Sequence, residues 1–102
     1  MPKALTICQP YAELIMRGEK PIENRTWWTS YRGPLLIHAG KSRTWMDEGD
    51  EQRYPNMAFG AIVGRVTMVD CVRVEKLPAE LRDHAHANGP LVLRIHEHRT
   101  LH

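Results

Sequence analysis

The sequence predicts a small, mostly antiparallel β-barrel with short connecting helices, of the α+β to mainly β class. Three observations carry this. The apolar and β-branched residues fall into about five short runs separated by Gly, Pro and Asn turn signals. There are few long helical stripes and no strand–helix–strand rhythm of the kind that builds a parallel α/β sheet. A chain of 102 residues buries roughly two-thirds of its unfolded surface, enough for one core and for a single domain over 1–102.

The elements follow in order. Ala4–Cys8 reads as a short strand, with Leu5 and Ile7 alternating with Thr6 and Cys8. Pro10 suits the first turn of a helix, where its missing N–H costs nothing. Tyr11–Arg17 supplies Ala12, Leu14, Ile15 and Met16 as an apolar stripe, and Gly18 is a natural stop. Lys20–Trp28 is extended, because Pro21 forbids a helix interior and Ile22 and Thr26-Trp27-Trp28 favour strand. Arg32-Gly33-Pro34 is a turn and Leu35–Ala39 a compact apolar strand. Ser42 can cap a short helix from Arg43, and the polar stretch Gly49–Asn56, broken by Pro55, is a loop. Phe59–Val74 is the longest strand signal. Its even positions from Ile62 to Val74 form the buried face, which places Asp70 among apolar neighbours, and Gly60 and Gly64 allow a barrel corner. Pro78 opens a short helix over Ala79–His86, Asn88-Gly89-Pro90 turns the chain, and Leu91–Ile95 is the last strand.

Composition excludes several classes. Hydrophobic residues make up 42% and charged residues 25%, as in ordinary globular chains and unlike disordered, collagen-like or coiled-coil ones. Mean hydropathy is -0.47, and no apolar run approaches the ~18 residues of a membrane span. The first ten residues lack the apolar stretch of a secretion signal. Cys8 and Cys71 have no zinc-type spacing and read as buried thiols of a reducing, cytoplasmic protein. The net charge of +2 is too mild to announce a nucleic-acid binder by itself. It hides a pattern, however. Residues 17–43 carry Arg17, Lys20, Arg25, Arg32, Lys41 and Arg43 against Glu19 and Glu23, whereas 44–51 carry only the acids Asp47, Glu48, Asp50 and Glu51. Tyr11, Trp27, Trp28, Tyr31 and Trp45 concentrate the aromatics in the same half.

The densest polar constellation is Gly18-Glu19-Lys20-Pro21-Ile22-Glu23-Asn24-Arg25. On an extended chain Glu23 and Arg25 share a face. Lys20, just after the helix stop, has a stem long enough to join them. Such a group can bind a polar ligand, with Arg and Lys on phosphate or carbonyl oxygens and Glu on a base amino group. The plainer alternative is an exposed salt-bridged strand, worth under ~1 kcal/mol per pair. Gln9 either caps the first helix or points its amide at a ligand. The small residues around His38-Ala39-Gly40-Lys41-Ser42 permit close backbone approach, as does an ordinary turn. His84-x-His86 and His96-x-His98 are weak metal signals without a third ligand, and neither a metal nor a cofactor is expected. A buried Asp70 would need a partner, and a structural one fits better than a catalytic one.

Leu5-Thr6-Ile7-Cys8-Gln9-Pro10-Tyr11-Ala12, then Gly18-x-Lys20-x-x-Glu23-x-Arg25-x-Trp27 and Tyr31-Arg32-Gly33-Pro34-Leu35-Leu36-Ile37-His38-Ala39, resemble the ASCH domain, named for homology to an activating signal cointegrator. The resemblance is dense over residues 4–42. It is looser through Gly60–Val66, Asp70-Cys71 and Gly89-Pro90. It implies a PUA-like β-barrel with a cleft beside the first helix, lined by the G-x-K-x-x-E-x-R element and taking RNA or nucleotide-like ligands. The ligand residues then expected are Gln9, Lys20, Glu23, Arg25, Trp27, Tyr31, Arg32, His38 and Lys41, with single-stranded RNA or a modified nucleoside as partner.

Some members resembling this chain are enzymes. One branch hydrolyses the amide of N4-acetylcytidine with a lysine, a threonine and a later glutamate, and another is a ribonuclease. Here Lys20 is kept, Glu23 stands at the threonine position, and the later glutamate aligns near Asn88. An enzyme would therefore have to rest on Lys20 and Glu23 as a catalytic pair, and this hydrolase reading stays open as the alternative. A coactivator-type protein-interaction domain is the third reading. Relatives also continue with a further K-G-x-x-G-L-W-like strand. The chain is either a short version of the barrel or lacks its last strand, and an open edge would allow a homodimer as well as a monomer.

Overall fold

The computed structural model describes residues 3–80 in full, and the backbone of 81–82 and 91–100. The elements are β1 (Ala4–Ile7), α1 (Tyr11–Met16), β2 (Ile22–Arg25), β3 (Gly33–Ala39), α2 (Asp50–Arg53), β4 (Ala61–Arg73), a 3-10 turn (Val74–Lys76), α3 (Ala79–Arg82) and β5 (Leu91–Thr100). The strands form one mixed sheet in the order β1-β3-β4-β5-β2. β1 runs parallel to β3, and the other three pairings are antiparallel. β1 and β2 are therefore the two edges of an open barrel.

The first helix is closed at both ends by recognisable devices. Gln9 Oε1 accepts from the Glu13 N–H at 2.9 Å, satisfying one of the unpaired donors of the first turn. At the other end Gly18 takes φ +78. Its N–H donates to Ile15 O and that of Glu19 to Leu14 O, the paired bonds of a Schellman turn. The chain reverses there and delivers Lys20 to the start of β2. The main core lies between α1 and the sheet. It comprises Ile7, Ala12, Ile15, Met16, Leu35, Ile37, Ala39, Val63 and Val66. At ~25 cal/mol per Å2 of apolar surface removed from water, this one-sided packing holds a six-residue helix that would not persist alone. Smaller clusters are Ile22 with Leu77, and Met68 with Cys71.

The long strand departs from simple alternation. Ile37 pairs with Gly64 but His38 with Ile62, so Val63 is an inserted residue against β3. Met68 pairs with Ile95 but Asp70 with Arg94, so Val69 is inserted against β5. Each bulge resets which parity faces inward. Gly64, Val66 and Met68 are buried on the even side, and Cys71 is buried on the odd side beyond Val69. Asp70 is thereby turned outward, contrary to the expectation of a buried carboxylate. Its side chain is 40% exposed, 3.4 Å from Arg32 Nη2, and it accepts from the Cys71 N–H. Ile62, expected inside, is exposed for the same reason.

Other expectations are corrected in detail. No helix starts at Arg43. The Ser42 hydroxyl bonds Thr44 through both its N–H and its side chain, a local turn that competes with helix. The helical turn is α2, inside the stretch read as loop. There the Asp50 carboxylate accepts from the Asp47 N–H and from Arg53, and the chain leaves at Pro55. The extended segment after Lys20 is strand only over Ile22–Arg25, and Gly33 and Pro34 belong to β3, opposite Met68 and Thr67. The last strand runs on to Thr100. Of the helix read over Ala79–His86, Ala79–Arg82 is helical and residues 83–86 lie outside the described residues. His84, His86 and Asn88 lie outside the described residues. Among the described residues no helix is long and apolar enough to cross a membrane.

Candidate functional site

The curl of the sheet brings its two edges toward each other. Arg25, the last residue of β2, donates from Nη2 to the Thr6 carbonyl of β1 at 3.0 Å. A cleft of about 250 Å3 opens along this seam, lined by Thr6, Cys8, Tyr11, Lys20, Glu23, Asn24, Arg25, Thr26, Trp27 and Trp45. Its volume falls just below the ~300–1,000 Å3 of drug-sized pockets, so it suits a single planar ring or sugar.

The floor is a three-membered charge network. Lys20, only 4% exposed, donates from Nζ to Ile22 O at 2.5 Å and to Glu23 Oε1 at 2.9 Å. Arg25 Nη2 lies 3.2 Å from the other carboxylate oxygen of Glu23. Local structure explains the convergence. The Gly18 turn leaves Lys20 ahead of β2, β2 places Glu23 and Arg25 two residues apart on one face, and Ile22, just before Glu23, faces the core. The network carries two cations against one anion. Arg25 Nε is buried without a hydrogen-bond partner.

The walls are aromatic. The Lys20 ammonium lies 5.6 Å from the Tyr11 ring centroid and the Arg25 guanidinium 5.9 Å from that of Trp27, within cation–π range. Burial first, then the Glu23 carboxylate, push the Tyr11 phenol above its ordinary pKa. Trp27 and Trp45 are 44% and 50% exposed, and both line the cleft. Trp45 arrives on the excursion between β3 and β4. That excursion is held by Gln9 Nε2 donating to Ala58 O at 2.7 Å, by Arg43 over the Phe59 ring, and by Arg17 over the Tyr54 ring. The Asp50 carboxyl, inside the same excursion, is held below its ordinary range by the Asp47 N–H and the Arg53 guanidinium.

Of the residues expected to bind ligand, the structure brings Lys20, Glu23, Arg25 and Trp27 together in the cleft. The others are engaged elsewhere. Gln9 is fully buried and uses both ends of its amide structurally. Tyr31 donates to Pro34 O and packs on Met68 and Cys71. Arg32 binds Thr29 O, Tyr31 O and Asp70. His38 Nδ1 lies 3.1 Å from Thr6 Oγ1, one residue removed from the lining. Lys41 packs its stem beside Gly60, whose φ is +67. Cys8, expected as a buried thiol, is half-buried and lines the cleft, whereas Cys71 is buried. Tyr11 and Trp45 were visible in sequence only as members of an aromatic-rich half. No local spacing ties Trp45 to Lys20, because the excursion that delivers it is fixed by tertiary contacts.

Comparison with known proteins fits this architecture. A family model described as the ASCH domain matches residues 5–94. Activating signal cointegrator 1 from Homo sapiens and from Mus musculus are 29% and 30% identical over 92 residues, covering 78% of this chain. The chain spans 16% of the length of these curated relatives. The crystal structure of an ASCH from Zymomonas mobilis matches with a TM-score of 0.51 at 14% identity. That match covers 95% of this chain and 68% of the other, a likeness of fold. With the family model matched from β1 into β5, and an open barrel of the same fold around the matched residues, the chain belongs to the ASCH domain family.

Proposed function

We propose that the protein is an RNA- or nucleotide-binding module that takes a nucleobase into the seam cleft. One observation carries the reading: the Lys20–Glu23–Arg25 network and the exposed rings of Trp27 and Trp45 line the same cleft. The rings offer stacking worth ~1–3 kcal/mol per base, and the floor offers both donors and an acceptor to a base edge. The cleft holds one base, and the strand on either side would run over the surface. Hydrolysis by Lys20 and Glu23 is less well supported. Lys20 donates to a carbonyl and a carboxylate, so its nitrogen is presented as a donor and not as a base or nucleophile.

The test is titration with nucleosides and a short mixed-sequence RNA, followed by amide and indole NMR shifts and by alkylation of Cys8. Ligand should shift Lys20–Arg25, Trp27 and Trp45 and protect Cys8. RNA affinity should fall with salt, with a slope of about −0.7 per phosphate contacted. Absence of shifts at millimolar nucleoside and micromolar RNA would refute the reading. A second reading, protein interaction, has its own observation. Trp28 is 60% exposed and lies outside the cleft lining, and the curated relatives are named as cointegrators. A partner retained after nuclease treatment and lost in Trp28→Ala would support it.

A further inference from the structure

The head groups on the cleft floor stand in a fixed order. Glu23 is in the middle, with Lys20 Nζ 2.9 Å from one carboxylate oxygen and Arg25 Nη2 3.2 Å from the other. Each retains hydrogen-bonding capacity. An ammonium has three donors, and the two acceptors Ile22 O and Glu23 Oε1 take two of them. A guanidinium has five. The bonds to Glu23 Oε2 and Thr6 O use Nη2, which leaves the Nη1 donors for a ligand, whereas Nε is buried out of its reach. An ionised carboxylate has about four lone-pair sites, of which the two cations occupy one on each oxygen. A flat ligand lying in the cleft that Trp27 and Trp45 also line therefore meets donor, acceptor, donor along this floor.

The complementary edge reads acceptor, donor, acceptor. Among the common bases only the pyrimidine-2,4-diones, uracil and thymine, have it, as O2, N3–H and O4. Cytosine would set its amino group against a cation and its bare N3 against the carboxylate, in either orientation. Adenine makes the same two mismatches. Guanine matches at O6 and N1–H but turns its amino group toward a cation. We infer that the seam cleft selects the pyrimidine-2,4-dione edge through Lys20, Glu23 and Arg25. This rests on the nucleobase-binding reading above and adds to it the identity of the base. Each mismatch leaves a like-for-like contact in a partly buried site, so discrimination of roughly 5- to 100-fold is expected.

The experiment compares uridine, thymidine, cytidine and 3-methyluridine by calorimetric or NMR titration of the wild type, Trp45→Ala and Glu23→Gln, with circular dichroism to confirm folding. Uridine or thymidine should bind at least fivefold more tightly than cytidine. 3-Methyluridine, which lacks the central donor but keeps the ring and both carbonyls, should bind like cytidine. Trp45→Ala should weaken uridine and cytidine alike and leave their ratio unchanged, whereas Glu23→Gln should collapse the ratio. Cytidine binding as tightly as uridine, or 3-methyluridine binding like uridine, would overturn the base assignment while leaving the cleft reading intact. Failure of all four nucleosides to bind the wild type would overturn both.

Discussion

Replacing Glu23 by alanine should cost the domain about 3 kcal/mol, far more than replacing either of its cationic partners. Lys20 is almost fully buried, and among the described residues its ammonium has one anionic partner, the Glu23 carboxylate at 2.9 Å. Without that carboxylate, a desolvated positive charge remains beside a second one on Arg25. Breaking a buried pair from one side typically costs 3–5 kcal/mol. The lower end applies, because the Glu23 side chain keeps 13% of its exposure and water can reach it. Lys20→Met is a different case. It fills the same space with an apolar stem and leaves Glu23 still paired to Arg25, so the main loss is the hydrogen bond to Ile22 O, about 1 kcal/mol. For a domain of this size each kcal/mol moves Tm by ~4–8 °C. Glu23→Ala should therefore lower Tm by roughly 12–24 °C and Lys20→Met by ~4–8 °C, measured by thermal and urea denaturation at pH 7. In the double variant the penalty of Glu23→Ala should largely vanish, since no buried ammonium remains. Equal single-variant losses, or strict additivity in the double variant, would refute the view that Glu23 is the neutralising centre of the floor.

Three other outcomes follow from the same structure. Trp45→Ala should leave Tm within about 2 °C, because the ring is half exposed, yet weaken nucleoside binding roughly 5- to 100-fold. Gln9→Leu should destabilise the fold by about 2 kcal/mol, since the Glu13 N–H and Ala58 carbonyl both lose their partner; hydrogen exchange should locate the loosening at α1 and residues 41–60. Finally, the depressed Asp50 carboxyl contributes stability that is present above the unfolded value of ~3.9 and is lost as the pH falls through the lower folded value. Acidification from pH 5 toward 2 should thus release the excursion and change Trp45 emission in a Trp27→Phe, Trp28→Phe background, and Asp50→Asn should show that emission already at pH 7.

The parts of the fold legible in the sequence are those governed by local rules. Gly18 ends α1 because only a residue at ease with positive φ closes a Schellman turn, and that single requirement also fixes where Lys20 emerges. The sharing of a face by Glu23 and Arg25 follows from strand period alone. What alternation could not show is the pair of bulges in β4. Val63 and Val69 are ordinary strand residues, and nothing local marks either as the inserted one; the pairing partners on β3 and β5 decide it. The error at Asp70 follows directly from missing Val69. The misplaced helix has a similar origin. Ser42 is a good cap in isolation, but its hydroxyl is used on Thr44, while Asp50 finds Asp47 and Arg53. Gln9 was half legible: its place before Pro10 suggests a cap, but its second bond reaches 49 residues along the chain.

The position of the charged network within the sheet bears on why it is there. A closed barrel pairs every strand, whereas this one leaves the outer edges of β1 and β2 facing each other, and unpaired edge groups need partners. The Arg25 bond to Thr6 O supplies one such link across the seam. One link does not require three charges. Well-packed apolar side chains of similar volume usually replace a buried ion pair at no net loss of stability, and Ile22 and Leu77 show that the neighbouring face of β2 is packed in that way. The network instead keeps a desolvated lysine, a carboxylate with spare lone pairs and a guanidinium with an unpartnered Nε, all beside exposed indoles. Stability does not account for that combination. On the proposed reading, recognition of a polar edge on a flat ring does, because the spare donor of Lys20 and the spare lone pairs of Glu23 then have a partner, and because the cleft at the seam has room for such a ring.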